Sequence, residues 1–283
     1  MGSTATFTIG GLPLTLSGGK SLAWALALPG MEVFREERAD GVTIHLDETF
    51  TLPECRWLHR FDIVDGMMEC RFGVDAEEVY HYTFGDAGHL RFDPRKPDEV
   101  RVSPLPDPSV LRYVLWTAYS IAGLWRGAVP VHASAVVCRG RAVLCLGESG
   151  TGKSTHTSLW IKHIEGCHLL NDDSPVLRVE GDEVVVYGSP WSGKTPCFRQ
   201  ERAPVAALLR LEQRPENAIR RLRAIEAFTA LQPSCPPALA HDELCTDRMV
   251  DFIGGVISRI PVYRLGCRPD ADAARLAHQT LMA

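Results

Sequence analysis

The sequence predicts an α/β protein in which a mixed sheet surrounds a phosphate-binding loop, preceded by a smaller β-rich N-terminal domain. Residues 147–154 read Gly-Glu-Ser-Gly-Thr-Gly-Lys-Ser, between an apolar run and a helical pattern. Residues 1–104 carry short runs that alternate between apolar and polar side chains. Turn residues predict hairpins on both sides of the loop. Such hairpins are unusual in a doubly wound parallel sheet, so a mixed sheet is favoured.

Residues 1–104 are predicted to form the β-rich domain, with peptide or partner recognition as a possible role. Its predicted strands cover residues 6–9, 41–46, 69–72 and 79–84 and suggest a small antiparallel sheet. Proline-rich stretches at 92–98 and 104–108 resist regular structure and mark the linker. Residues 105–283 are then the nucleotide-binding catalytic domain.

The second domain begins with a predicted helix that Ser109 caps and Gly127 ends. A hairpin turning at Arg139-Gly140 leads into the strand Arg141–Leu146, and the loop and a short helix follow. Further predictions are a strand at 169–173, a hairpin at 176–187, strands at 204–211 and 261–265, and helices at 224–231, 240–258 and 270–282.

The loop matches G-x-x-x-x-G-K-[ST], whose parts have distinct chemical roles. Its glycines let backbone N–H groups turn toward a phosphate, Lys153 neutralises phosphate oxygens, and Ser154 offers a hydroxyl to magnesium. A chance glycine-rich turn is the alternative, but the strand before the loop and the helix after it favour the motif. The predicted nucleotide-binding residues are Gly147, Ser149, Gly150, Thr151, Gly152, Lys153, Ser154 and Thr155.

Asp172 and Asp173 end an apolar segment about twenty residues after the loop. One carboxylate can hold magnesium while the other accepts the proton of an attacking hydroxyl. Adjacent strand residues point to opposite faces, but a turn at Ser174-Pro175 could bring both carboxylates to the phosphates. The alternative is that both aspartates lie in a solvated turn without a catalytic role. The phosphate-binding motif that precedes them favours the functional interpretation.

Two further residues are candidates for the active site. His132 precedes the first hairpin, and strand pairing would bring it beside the loop; the alternative is a core histidine. Lys194 lies in the turn-rich run 188–196, with Arg199 and Arg202 following, where cations could stabilise a transferring phosphate. An exposed loop with solvated charges is the alternative there.

Composition and charge limit the classes of function. A formal net charge of -5 without blocks of like charge argues against a nucleic-acid partner. The longest apolar stretch is broken by polar residues, and no signal peptide is recognisable, so no membrane partner is predicted. The nine cysteines are scattered, which predicts reduced core residues and a cytoplasmic location.

His132, the hairpin, the loop at 147–154 and the pair Asp172-Asp173 together resemble the HPr kinase/phosphorylase superfamily. The core of that superfamily is similar to ATP-dependent phosphoenolpyruvate carboxykinase. The resemblance covers residues 128–211 best and implies a mixed-sheet P-loop kinase core. It further implies Asp172 as general base, Asp173 near the metal, and His132 beside the site. The long glycine-containing signature of true HPr kinases is absent, so the chain looks more like HPr-kinase-related kinases, some of which phosphorylate peptides.

The sequence therefore predicts an ATP- and Mg-dependent phosphotransferase acting on a hydroxyl, most plausibly a serine of a peptide or protein. Its catalytic residues would be Asp172, His132 and Lys194, and its metal-binding residues Ser154 and Asp173. A homo-oligomer is possible. The alternatives are a non-catalytic nucleotide-binding or peptide-recognition module of a larger assembly, or a small-molecule kinase. ATP and GTP are not distinguished, because no base-recognition motif is visible.

Overall fold

A computed structural model of the chain describes residues 2–37, 40–46, 49, 51–63, 68–86, 88–103, 107–239 and 241–282. The chain divides into two compact units. The first comprises Met1–Arg126 and Ala238–Arg248, and the second comprises Gly127–Pro237 and Met249–Ala283. The predicted boundary between residues 104 and 105 lies outside the described residues. The helix that follows it belongs to the first unit, whereas the prediction assigned it to the catalytic domain.

The first unit contains a nine-stranded sheet. Its strands are β1 (Ser3–Ile9), β2 (Leu12–Gly18), β3 (Arg35–Glu36), β4 (Val42–His45), β5 (Arg56–Ile63), β6 (Met68–Val74), β7 (Tyr80–Phe84), β8 (Gly88–Phe92) and β9 (Glu99–Val102). Their order is β3-β1-β2-β4-β9-β8-β7-β6-β5. Because β4 pairs in parallel with both β2 and β9, this sheet is mixed and larger than the small antiparallel sheet predicted. Helices α1 (Lys20–Leu26) and α2 (Pro108–Trp125) belong to this unit.

The second unit contains another nine-stranded sheet. Its strands are β10 (Ala128–Pro130), β11 (Ala133–Cys138), β12 (Arg141–Leu146), β13 (Cys167–Asn171), β14 (Val176–Glu180), β15 (Glu183–Tyr187), β16 (Arg202–Gln213), β17 (Ala218–Arg221) and β18 (Val262–Cys267). The remaining helices of the described chain are α3 (Lys153–His163), α4 (Ala224–Leu231), α5 (Glu243–Ile257) and α6 (Ala271–Leu281). The chain is thus a mixed α/β protein.

The sheet of the second unit is mixed, as predicted. Its order is β10-β14-β15-β16-β12-β11-β13, and β18 pairs with both β16 and β17. The ladders β12–β16 and β16–β18 are parallel, whereas β11–β12, β11–β13 and β14–β15 are antiparallel. Both predicted hairpins are present. On one face, Trp160 of α3 and Ala274 and Ala277 of α6 form a buried cluster with sheet residues such as Leu209.

The hairpin β11–β12 sets the position of the residues around the loop. Arg139 and Gly140 have positive φ angles of 51° and 80°, as a two-residue hairpin turn requires. The register pairs Cys138 with Arg141 and Ala133 with Leu146. The first residue of β11 therefore lies opposite the last residue of β12, and the residue before β11 lies beside the loop.

The prediction that all cysteines are reduced is wrong for one pair. Cys138 and Cys167 form a disulfide between the neighbouring strands β11 and β13, where they are direct partners with a Cα–Cα distance of 4.1 Å. This disulfide could not be predicted from the sequence, because no local pattern indicates that β13 lies next to β11. The cytoplasmic location was predicted from reduced cysteines, and the disulfide removes that support. The location itself stays a prediction. No helix within the described residues is long and apolar enough to cross a bilayer.

Reduction of this disulfide should lower the stability of the second unit. The bond joins residues 29 apart in sequence, and closing such a loop restricts the unfolded chain, which typically stabilises the folded state by about 2–4 kcal/mol. Urea unfolding followed by circular dichroism, with and without a dithiol reductant, measures the difference. The double variant Cys138→Ala/Cys167→Ala should be insensitive to the reductant. Equal urea midpoints for the oxidised and reduced wild type would contradict the disulfide.

Candidate functional site

The predicted phosphate-binding loop runs from the end of β12 to the start of α3. Gly152, directly before α3, has a left-handed backbone with a φ of 100°, and no side chain caps the helix. A Cβ atom on Gly147 would lie 2.5 Å from the hydroxyl oxygen of Thr151, so a larger residue does not fit there without a shift. The uncapped N–H groups at the start of α3 are available to an anion.

Lys153 is the buried cation of this loop. Its Nζ donates to the carbonyl oxygens of Gly147, at 2.8 Å, and Glu148, at 3.3 Å. It also lies 2.8 Å from Nε2 of His132. Burial lowers the pKa of the Lys153 amine, while the carboxylates of Asp173 and Glu148 act in the opposite direction. The N–H groups of Lys153 that donate to these carbonyls could donate to the oxygens of a bound phosphate instead.

The structure places His132 between this cation and a carboxylate. An ammonium group only donates, so Nε2 of His132 is the acceptor in this contact, and the ring N–H is on Nδ1. Nδ1 lies 3.4 Å from Oδ1 of Asp173. The hairpin thus brings His132 beside the loop; its catalytic role stays a prediction.

Asp172 and Asp173 lie in the turn that follows β13. Oδ1 of Asn171, the last residue of β13, accepts hydrogen bonds from the backbone N–H groups of Asp173 and Ser174, both at 2.9 Å. The Asn171 amide nitrogen donates to the carbonyl of Ser189 at 3.2 Å, which anchors the turn. Adjacent residues within a strand point to opposite faces of the sheet. Asp172 and Asp173 follow the end of the strand, so this alternation does not apply to them.

The two carboxylates have different surroundings. Asp172 is almost entirely buried: Oδ1 accepts from the Ser134 hydroxyl at 2.9 Å, and Oδ2 accepts from the N–H of Thr195 at 3.3 Å. The Asp173 side chain is 36% exposed and accepts from the Ser174 hydroxyl at 3.0 Å. An incoming hydroxyl therefore has freer access to Asp173 than to Asp172.

The oxygen donors beside the loop suit magnesium better than a softer metal. They are the Ser154 hydroxyl and the carboxylates of Asp172 and Asp173. Within the described ranges, no three His, Cys, Asp or Glu side chains form a cluster that could hold a metal ion. Magnesium at a triphosphate takes only one or two carboxylates and completes its shell with phosphate and water, so this donor set fits it.

Lys194 lies on a segment that contacts the aspartate pair. A Cβ atom on Gly193 would lie 3.0 Å from the carbonyl oxygen of Asp172, and the Thr195 N–H bonds the Asp172 carboxylate. Lys194 itself is exposed. Of the two arginines that follow, Arg202 binds Glu180 through an ion pair at 3.3 Å. A catalytic role for Lys194 stays a prediction.

The remaining predicted loop residues are on its outer side. Ser149 and Gly150 are exposed, as is Thr155 in the first turn of α3. The Gly150 carbonyl accepts from the side-chain amide of Gln213 at 3.1 Å, which fixes the loop to the end of β16.

A cleft of about 570 Å³ opens beside the loop. Gly150, Thr151, Gly152 and Thr155 line one side. The other walls are formed by His156, Leu159, Leu211, Gln213, Arg214, Pro215, Cys267, Arg268 and Pro269. A cleft of this size, with both apolar and polar residues in its walls, is typical of small-ligand sites. Its continuity with the loop gives room for a group attached to a bound phosphate.

Two residues of this site were not predicted from the sequence. Ser134 links Asp172 to Thr157 of α3, with both oxygen–oxygen distances 2.9 Å. Arg210 of β16 binds Glu148 of the loop, with an N–O distance of 2.8 Å. The signal for each was a polar residue inside an apolar strand, where a buried polar group needs a partner.

Compared with known proteins, the chain matches no protein-family profile and no curated protein. It is similar to the solved structure of the Hpr(Ser) kinase/phosphatase from Coxiella burnetii, at 15% sequence identity and a TM-score of 0.32. The match covers 54% of this chain and 87% of that chain. This is a distant structural relationship, and by itself it does not indicate an activity or a substrate.

Proposed function

We propose that the second unit is a phosphotransferase with a mixed-sheet P-loop kinase core of the HPr kinase/phosphoenolpyruvate carboxykinase type. It transfers the terminal phosphoryl group of ATP to a hydroxyl and requires Mg²⁺. The observation that carries the proposal is the convergence of Lys153, His132 and the pair Asp172-Asp173 on one loop. A purely structural domain has little use for a buried lysine, an open carboxylate and an uncapped helix start in one place.

Different residues of the chain are proposed to bind the nucleotide, hold the metal and accept the proton. The loop N–H groups and Lys153 bind the phosphates, and the cleft beside the loop takes the nucleoside. Magnesium, when bound, offsets charge on the phosphates. The buried Asp172 is the better metal-side group, and the open Asp173 is the better base, because a base must come within hydrogen-bond reach of the acceptor. This division is the reverse of the one that the resemblance implied.

A serine of a peptide or protein is the proposed acceptor, and this part of the proposal rests on the resemblance to HPr-kinase-related proteins. Transfer to serine needs a base, a metal-bound triphosphate and an open approach to both, and the partly exposed Asp173 supports such an approach. Lys194, exposed on the segment beside the aspartates, is proposed to contact the transferring group.

The test has two steps. Calorimetry first compares the binding of ATP, GTP and inorganic tripolyphosphate in the presence of Mg²⁺. We expect measurable binding of all three, with ATP or GTP binding tighter than tripolyphosphate because the cleft contributes. Serine-containing peptides, free serine and small alcohols are then incubated with the protein and MgATP, and phosphate on the acceptor is detected by mass spectrometry.

The outcomes separate the alternatives. Transfer to a peptide supports the proposal, and transfer only to a small alcohol favours a small-molecule kinase. Tight nucleotide binding without transfer to any acceptor favours a non-catalytic nucleotide-binding module. Absence of binding for all three phosphate ligands at millimolar concentration would refute the assignment of the loop.

A further inference from the structure

Arg210 occupies a position beside the phosphate-binding loop. In the parallel ladder β12–β16, Arg210 is the register partner of Leu146, the last residue before the loop. The carboxyl ends of parallel strands meet at one edge of a sheet, which is where such sheets bind ligands. The Arg210 side chain is only 19% exposed, so its charge is held in place and largely removed from water.

The guanidinium of Arg210 contacts the loop through one of its two terminal nitrogens. Nη2 donates to Oε1 of Glu148 at 2.8 Å. Nη1 is buried and, among the described residues, has no hydrogen-bond partner. Buried polar groups in native proteins nearly always have partners, so an unpaired donor beside a binding loop points to a ligand.

The carboxylates around the loop outnumber Lys153, so a second cation would favour the binding of an anion. Glu148, Asp172 and Asp173 surround Lys153 closely enough to raise the pKa of its amine, against the effect of burial. Lys153 and Arg210 are neighbours, because Lys153 donates to the Glu148 carbonyl oxygen and Arg210 donates to the Glu148 carboxylate. These three carboxylates would repel a triphosphate that enters the site. The single positive charge of Lys153 does not balance their negative charge.

We propose that Arg210 is a second phosphate-binding cation of this site, held ready by Glu148 and donating to the triphosphate through Nη1. The proposal rests on the proposed phosphotransferase function. A guanidinium suits this role because its planar fork can bind a carboxylate along one edge and a phosphate along another. Glu148 is then a positioning residue: it orients Arg210, and it does not touch the substrate.

The test measures the affinity for inorganic tripolyphosphate, which isolates phosphate contacts from those of the nucleoside. Arg210→Gln should weaken binding about 10- to 100-fold, the usual effect of losing a charged hydrogen bond. Arg210→Lys keeps the charge but loses the fork, so it should recover only part of the affinity. The matched control is Arg264→Gln. Arg264 is the register partner of Arg210 on β18, one strand farther from the loop, and its Nε lies 3.2 Å from Oε1 of Glu212 in an ion pair. Its loss should change affinity less than twofold.

Glu148→Gln separates phosphate binding from a merely structural role. If Arg210 only fixed the loop through Glu148, the variants Glu148→Gln and Arg210→Gln would weaken binding equally, and the proposal would be overturned. We expect Glu148→Gln to bind tripolyphosphate no more weakly than the wild type, because the glutamine Oε1 can still accept from Arg210 while a negative charge beside the anion is removed. Melting temperatures of the unliganded variants show whether each is folded, and Arg210→Lys serves if Arg210→Gln is not.

Failure of this inference is distinguishable from failure of the proposed function. If the wild type does not bind tripolyphosphate, the loop assignment itself is wrong. If the wild type binds it and both Arg210 variants bind it equally well, only the role of Arg210 is refuted.

Discussion

Replacing Asp173 with asparagine should slow phosphoryl transfer by about 10²–10⁴-fold while leaving nucleotide affinity within a few-fold of the wild type. The side chain is partly exposed and faces His132, so the variant loses the proton acceptor without leaving a buried charge unpaired. Steady-state kinetics at saturating MgATP measures the fall in kcat. The Mg²⁺ concentration for half-maximal rate should stay nearly the same.

Asp172→Asn should affect magnesium more than the base step. We expect the Mg²⁺ requirement to rise, because the buried carboxylate is proposed to lie on the metal side. The variant should also be less stable by about 1–3 kcal/mol, since an amide cannot accept equally from Ser134 and the Thr195 N–H. Thermal unfolding checks this second effect.

The two variants decide the division of roles between the aspartates. If Asp172→Asn lowered kcat at saturating Mg²⁺ and Asp173→Asn mainly raised the Mg²⁺ requirement, the division implied by the resemblance would be right and ours wrong. Asp182→Asn, an exposed carboxylate in the β14–β15 turn, is the control and should change neither quantity.

Lys153→Ala should lower kcat/KM for MgATP by about 10²–10³-fold, the effect typical of losing a charged donor at a transferring group. Nucleotide affinity should fall with turnover, because Lys153 is the buried cation of the loop and its Nζ is proposed to exchange carbonyls for phosphate oxygens. Calorimetry with ATP and steady-state kinetics measure the two effects separately.

Lys162→Ala is the matched control for this prediction. Lys162 is an exposed lysine in the last turn of the same helix, at the end away from the loop. It should leave both affinity and turnover unchanged. If Lys153→Ala retained wild-type activity, the loop would not bind the triphosphate in the proposed way.

Local patterns in the sequence predicted much of the second unit. The loop motif, the Arg139-Gly140 turn and the apolar run before the loop depend on neighbouring residues, and the structure has the corresponding strand, hairpin and helix. The position of His132 beside Lys153 followed from the hairpin register alone.

Features that depend on strand order were not predictable from local patterns. The neighbours of β13 and β16 in the sheet are set by long-range pairing, which leaves no periodic signal in the chain. The disulfide between Cys138 and Cys167 and the contact between Arg210 and Glu148 both depend on that pairing. In the first unit, the parallel pairs β2–β4 and β4–β9 were missed for the same reason.

The hairpin β11–β12 also has a consequence for the order of folding. His132 and Lys153 are 21 residues apart in the chain and are joined by local structure, whereas Arg210 and Glu148 are 62 residues apart. Local contacts close earlier than distant ones, because a shorter segment loses less entropy when its ends meet. The histidine and lysine can therefore come together early, and the arginine can arrive only once β16 has docked.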